Sequence, residues 1–545
     1  MKRNNKTNLY PLFGVPAGLL LFVAWPPQYI WPLLFIAFIP YFFATDQIIE
    51  KRRFRTLGFF LLTYTTLLTW NLFTNAWIYN TKFLTGFLVS ALNPLLFAIP
   101  LLLVWYVRRR LGKRWFYFAF VCTWLAVETF HSEWIMAFPY HALGYGLTPA
   151  PYLIQFYTIT GVGGGTLWIL AVNVLIYELV NSVFISRPSF DNIRKGSIAF
   201  TAFAVPCILS AITYITYTEK GYEVKVVAIQ TDVDCYEEKY VTSPEILVDR
   251  YWSLTEEALK KGAPDYILWP ETAISNGGYV QGLKNNPLYA NIAQRLESYP
   301  GAQLITGAIL YEREDQLPPF ASQNPDYARE LGDMRYYTYN AALQIGKNGV
   351  IGYRSKEKLV PFEEQTPYPQ YTKAIKQIVP SLGGFAFSTS HVNNTVFRNG
   401  PRAGSALICF ESAFGELASK QVRTGANILF VMLNEGWYKH SGGASQIQAC
   451  AVARAIENRR TVVRSSNNGI SSIINQRGDV IQQADMAGGP ATLTISTRGN
   501  DHLTPYTHHS NLIGKAAQLC FLAMIALCIV VYSLSLIGRK RLILE

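Results

Sequence analysis

Eight apolar runs, each close to the length that a lipid bilayer demands, limit what this chain can fold into. They fall near residues 9–25, 29–46, 56–75, 83–107, 115–131, 162–184, 197–217 and 516–537. A helix needs roughly 20 apolar residues to cross a hydrocarbon core, and no soluble helix would expose such residues all round. Only 15% of the chain is charged, against roughly 25% in soluble proteins, and the deficit lies in these runs. From Glu219 to about Thr507 the composition is ordinary. The expected organisation is a transmembrane domain at 1–218 with about seven helices, a folded domain at 219–507, and a last helix with its tail at 508–545. The first run resembles a signal peptide, because Lys2, Arg3 and Lys6 precede it. However, "AWPPQYIW" offers no small-residue cleavage site and a second run follows at once, so it reads as a membrane helix.

Basic residues set the orientation. Lys51, Arg52, Arg53 and Arg55 lie between runs two and three, and Arg108, Arg109, Arg110, Lys113 and Arg114 between four and five. Arg187, Arg194 and Lys195 lie between six and seven, and Arg539, Lys540 and Arg541 follow run eight. The alternate connectors are nearly free of them; "HSEWIMAFPYHALGYGLTPAPY" has none. The positive-inside rule then places both termini in the cytoplasm and 219–507 outside. The net charge of +12 is mostly this topology signal and says little about nucleic acid.

Of the seven cysteines, Cys122, Cys207, Cys520 and Cys528 fall within apolar runs. Cys235, Cys409 and Cys450 lie in the outer domain, too few and too scattered for a disulfide framework. No HExxH, CxxC or other metal-ligand spacing occurs, so neither metal nor cofactor is expected.

Within 219–507, apolar runs read as strands at 223–230, 265–270, 303–309, 339–346, 404–410, 427–433 and 460–466. Helical periodicity covers 243–262, capped by Ser243, and 442–460. Asn348-Gly349 and Arg477-Gly478 sit where hairpin turns belong. The mixture predicts an α/β domain with a partly antiparallel, buried sheet. Polar residues follow three of the strands abruptly. "YILWPETAI" brings Glu271, "GYRSKEKLVPFEEQTP" brings Lys356 and Lys358 and then Glu363-Glu364, and "SALICFESAFGE" brings Cys409. Each has a plain reading. Glu271 could sit at a helix N-terminus behind Pro270, the lysines could be solvated, and Cys409 could be a small core residue. Together they offer a thiol, a base and a cation. A free thiol with pKa ~8.5 needs such neighbours to react at neutral pH.

The order Glu, Lys, Cys in "WPET", "K-x-x-LVPF-x-E" and "ICFE" resembles the nitrilase (carbon-nitrogen hydrolase) superfamily. With membrane runs before and after, the whole chain is similar to the apolipoprotein N-acyltransferase family. The likeness continues in "NEGWY" (434–438), "RAIENRRTVVRSSNNGIS" (454–471), "LTPY" (503–506), "FPYHALGY" (138–145) and "GVGGGT" (161–166). The resemblance implies a membrane helical bundle of about eight helices carrying an extracytoplasmic αββα nitrilase-like sandwich. It implies Glu271 as general base, Lys356 as oxyanion-stabilising lysine and Cys409 as nucleophile. Glu364 and Glu411 match further family glutamates, Phe410 stands where tyrosine is frequent, and Glu435 where aspartate is. Trp437 belongs to the "NEGWY" match, and Tyr240 or Tyr236 takes the place of an expected tryptophan. Lys358 falls where the family spacing requires no lysine.

The implied reaction moves an acyl chain from a phospholipid onto Cys409 and then onto the N-terminal amine of a diacylglyceryl-modified lipoprotein. The expected setting is a bacterial inner membrane, with the catalytic domain periplasmic, the chain monomeric, and no nucleic acid involved. The stretch 365–390, rich in aromatic residues, proline and glycine, reads as an amphipathic lid or as an ordinary packed loop. Glu128, Glu133 and His141 near run five are weaker candidates. A membrane-tethered amidase would use the same three residues. A non-catalytic transporter or receptor, whose outer domain only binds a ligand, fits the eight runs but offers no role for those three.

Overall fold

The computed structural model describes residues 10–50, 54–185, 190–318, 327–368, 387–392, 394–438, 441–484 and 489–544. The chain divides into two compact units. One comprises Met1–Trp134, His141–Ile212 and Asn511–Glu545; the other comprises Ile135–Tyr140 and Thr213–Ser510.

The first unit is helical throughout. Among the described residues, six stretches are long and apolar enough to cross a membrane: Trp31–Ile49, Arg55–Thr74, Phe83–Leu111, Tyr157–Phe184, Phe190–Thr216 and Pro505–Leu534. Two of the eight expected runs differ. Gly14–Ala24 is helical for only 11 residues. Lys113–Glu133 is a continuous 21-residue helix but too polar in composition to count, since it carries Thr123, Glu128, Thr129 and His131, of which Thr123, Thr129 and His131 are buried. Glu128 is nevertheless satisfied inside the unit. It accepts hydrogen bonds from Trp124 Nε1 at 2.8 Å, the Leu143 main-chain N at 2.9 Å and Thr166 Oγ1 at 2.8 Å. Those bonds join the "FPYHALGY" segment to the glycine-rich start of Tyr157–Ile185. Gly144 packs there against the Val162 carbonyl, where a Cβ would collide. At the basic ends of the helices, Asp46 accepts from Arg108 at 2.9 Å, and Lys113 bridges Asp46 and Glu178 at 3.0 and 2.7 Å. Helix ends that the charge pattern assigns to one side therefore meet.

The second unit is built on two sheets. Its strands are β1 (Tyr222–Gln230), β2 (Tyr266–Leu268), β3 (Gln303–Arg313), β4 (Arg329–Leu331), β5 (Met334–Gly346), β6 (Gly349–Ser355) and β7 (Phe397–Asn399). They continue as β8 (Arg402–Ile408), β9 (Ile428–Leu433), β10 (Val462–Ser466), β11 (Ser472–Ile474), β12 (Val480–Gln483) and β13 (Ala491–Gly499). The first sheet runs β13-β1-β2-β3-β5-β4 with β6 on β5, and the second runs β12-β11-β10-β9-β8-β7. Both are mixed. β1, β2 and β3 are parallel, as are β8, β9 and β10, while the outer pairings are antiparallel. The parallel strands are buried on both faces, which is why they read as unbroken apolar runs.

The sheets face each other. Ser465 Oγ donates to the Ile229 carbonyl at 2.7 Å, and Tyr266 OH to the Phe397 carbonyl at 2.8 Å. Helices Pro244–Leu259 and Pro287–Leu296 cover the first sheet; Gly415–Arg423 and Gly443–Asn458 cover the second. The result is the four-layer α/β sandwich. Asn348-Gly349 and Arg477-Gly478 do lie at the β5–β6 and β11–β12 turns, with Gly349 and Gly478 at φ of 101° and 94°. Ser243 occupies the N-cap position of its helix, but its side chain makes no capping hydrogen bond. The helix begins instead with Pro244, whose ring fixes φ for the first turn.

Candidate active site

Three strand ends of the second unit deliver the candidate residues. Glu271 follows β2 in a turn, not a helix, and the β3 backbone braces it. Gly307 N donates to the Pro270 carbonyl at 3.1 Å, and Ile274 N to the Gly307 carbonyl at 3.0 Å. A Cβ at Gly307 would strike the backbone of Pro270, Glu271 and Thr272, so only glycine allows this approach. Lys356 follows β6, its N–H held by the Asn340 carbonyl at 2.7 Å. Glu364 lies on the turn after "LVPF", where Val360 N donates to its Oε2 at 2.8 Å.

These side chains form one buried network. Lys356 Nζ lies 3.1 Å from Glu271 Oε1 and 2.8 Å from Glu364 Oε1. Asn340 Nδ2, projecting from β5, donates to the same two oxygens at 2.8 and 3.1 Å. Burial alone would pull the Lys356 ammonium down, but the charges of Glu271 and Glu364 outweigh it and hold its pKa above the ordinary lysine range. Burial raises the Glu364 carboxyl, Lys356 opposes this, and Glu271 adds to it. Lys358 lies outside the network, its ammonium 5.1 Å from the Phe414 ring centroid.

Cys409 stands directly after β8 with φ of 51°, a left-handed conformation that a residue with a Cβ adopts only under constraint. Glu411 supplies the constraint. Its carboxylate accepts from the Ile408 N–H at 2.8 Å and the Glu357 N–H at 2.7 Å. Ser412 Oγ donates to the Cys409 carbonyl at 2.8 Å. The thiol is buried, and burial pushes its pKa well above the ordinary range. Glu271 pushes it further, and Lys356 pulls it back. At rest the sulfur carries its proton, so it needs a base more than a cation alone.

The remaining candidates surround this centre. Phe410 packs between Tyr140 and Phe414, with ring centroids 5.8 and 4.9 Å away. Trp437 lies between Tyr236 at 4.9 Å and Tyr240 at 6.2 Å, so both tyrosines reach it. Glu435 pairs with Arg464 at 2.9 Å and accepts from the Ile470 N–H at 2.8 Å, tying "NEGWY" to "NNGIS". The lid stretch is outside the described residues at 369–386; Phe387 beyond it packs with Ile309 and Leu359. Glu128, Glu133 and His141 belong to the helical unit, where Glu133 accepts from Gln518 at 3.2 Å and His141 stacks on Trp70 at 4.7 Å. All seven cysteines are free.

Sequence reasoning missed Asn340, Arg354 and Lys239. The first two interrupt apolar strands, and a single amide or guanidinium in such a run is a usable signal. Lys239, inside "DCYEEKY", looks like any solvated charge, yet it is fully buried.

The family description "Apolipoprotein N-acyltransferase N-terminal domain" matches residues 17–175, and "Carbon-nitrogen hydrolase" matches 226–496. The chain belongs to the nitrilase superfamily of carbon-nitrogen hydrolases. That second match opens in β1 and closes in β13, so it takes in both sheets. The chain is similar to the apolipoprotein N-acyltransferase of Chlorobaculum tepidum, 27% identical over 91% of this chain and 92% of the relative. It is 27% identical to that of Geobacter metallireducens over 86% of each. A carbon-nitrogen hydrolase from Helicobacter pylori G27, with 13% identity and a TM-score of 0.35, covers 50% of this chain and 89% of its own.

Proposed function

We propose that this chain N-acylates lipoproteins at the inner membrane, taking the acyl group from a phospholipid through a thioester on Cys409. The observation that carries the reading is the Lys356 ammonium held between Glu271 and Glu364, with the buried Cys409 on a constrained strand end. Glu271 takes the Sγ proton as the sulfur attacks the ester carbonyl carbon. Lys356 and the main-chain N–H after Cys409 hold the tetrahedral oxyanion. Its collapse breaks the C–O bond, and Glu271 returns the proton to the departing lysophospholipid alcohol. The lipoprotein amine then attacks the thioester, Glu271 takes the amine's proton, and collapse releases the amide and the thiol.

Asn340 and Glu364 orient the pair, since each shares an oxygen or a donor with it. The basic connectors support a periplasmic domain with cytoplasmic termini. Both substrates are lipid-anchored, so a domain tethered at both ends to membrane helices keeps the thiol where they are.

The test is intact-mass spectrometry of the purified protein after incubation with phospholipid, followed by a diacylglyceryl peptide. An adduct of one acyl chain that disappears as amide product forms supports the reading. An adduct lost to water at the same rate with and without peptide makes the enzyme a hydrolase instead.

A further inference from the structure

Lys239 is a buried charge near this site that the mechanism leaves unused, and unlike Arg354 and Arg464 it forms no ion pair with a carboxylate among the described residues. Its side chain is 0% exposed. Its hydrogen bond goes from Nζ to the main-chain carbonyl of Glu271, at 2.7 Å. A buried ammonium satisfied by a single carbonyl is costly, and a neutral side chain of that length would fill the same space without the cost.

The surrounding geometry gives the charge a use. Lys239 sits on the turn after β1, which the rest of the site holds firmly. Asn467 accepts from Thr231 Oγ1 at 2.8 Å and donates to the Val233 carbonyl at 2.7 Å, and Tyr236 OH donates to the Trp437 carbonyl at 3.0 Å. The next residue, Tyr240, reaches Thr272 Oγ1 at 3.5 Å. Lys239 and Tyr240 thus grip both ends of the Glu271–Thr272 step, where Thr272 itself has φ of 47°. The charged groups that face the ammonium are Glu271 from the loop after β2, Cys235 from its own turn and Cys409 from the end of β8.

We infer that Lys239 is a positioning residue with a second role: it fixes the backbone of the base Glu271, and its charge favours the Cys409 thiolate. The inference rests on the proposed roles of Glu271 and Cys409. Burial lowers the Lys239 pKa to about 8, against the pull of Glu271, Cys235 and Cys409. The electrostatic help is therefore present below about pH 8 and fades above it, as the ammonium loses its proton. A purely structural role would leave no such mark.

The experiment measures alkylation of Cys409 by iodoacetamide, read by intact mass on the full-length protein in a Cys235→Ser and Cys450→Ser background. Rates are taken from pH 6.5 to 9.5 for the parent, Lys239→Met and Glu271→Gln. Lys239→Met keeps the volume and removes the charge. Its rate should fall below pH 8 about tenfold further than it does above it, the equivalent of one pKa unit. A deficit that is the same at every pH, or no deficit, overturns the inference. A parent indifferent to Glu271→Gln removes the site reading and this inference together; a parent that responds, with Lys239→Met unchanged, removes this inference alone.

Discussion

Arg354 grips Glu411 through two parallel bonds of 2.7 and 2.9 Å, and both side chains are 0% exposed. The pair determines how Cys409 is presented. Glu411 is the residue that pins the Ile408 N–H at the strand end, so the ion pair fixes the turn that aims the thiol. Arg354→Met leaves a buried carboxylate without its partner. It should lower stability by about 3–5 kcal/mol, seen as a fall in the thermal midpoint in detergent. A midpoint within a degree of the parent's would show that the turn holds itself.

The same pair predicts acid sensitivity. Burial raises the Glu411 carboxyl, but Arg354 and the N–H groups of Ile408 and Glu357 outweigh it, so its folded pKa lies below the usual carboxylate range. A depressed carboxylate contributes stability that is complete above its unfolded pKa of ~4.3 and is lost as pH falls through the folded value. The midpoint should decline steeply below about pH 4 in the parent and less steeply in Arg354→Met, Glu411→Leu. Parallel curves would remove Glu411 as the source.

Cys409→Ser should abolish amide formation while the protein stays folded and membrane-inserted. Cys450, buried in Gly443–Asn458, should tolerate serine with near-normal turnover. Undiminished product from Cys409→Ser would end the nucleophile assignment.

Loss of Glu271 and loss of Lys356 should look different chemically. Glu271→Gln leaves the thiol protonated, and thioester formation should fall by about 10²–10⁴-fold. Raising the pH should rescue it in part, because hydroxide can ionise the sulfur. Lys356→Ala removes the charged oxyanion donor, a loss of about 10²–10³-fold that pH rescues much less. A Lys358→Ala variant that is inactive beside a working Lys356→Ala would mean that the wrong lysine has been assigned.

Cysteine labelling should find Tyr79, Pro149 and sites within 219–507 accessible from outside the cell, and Arg110 only after permeabilisation. Labelling of the 219–507 domain from the cytoplasmic side alone would reverse the topology and remove access to the lipoprotein amine.

The sequence by itself determined the large divisions. Bilayer-length runs are a property of consecutive residues, so hydropathy located the helical unit. The buried parallel strands β2 and β9 were legible for the same reason, since both faces are apolar and no polar residue interrupts them. Glu271 and Cys409 were legible as candidates because each closes an apolar run, whereas Lys356 follows the polar end of β6 and stood out only beside "LVPF". Short edge strands such as β4 and β12 carried too weak a pattern, and the helices Pro287–Leu296 and Gly415–Arg423 are amphipathic but only 10 and 9 residues long. Tertiary structure alone decided which groups meet. Asn340 shares two carboxylate oxygens with Lys356 because β5 and β6 pair with Ala341 opposite Ser355, next to each of them. Arg354 reaches Glu411 across 57 residues, and Lys239 reaches the Glu271 carbonyl across 32. Hydropathy and periodicity describe the environment of one segment, whereas a buried charge is explained only by the partner that another segment brings to it.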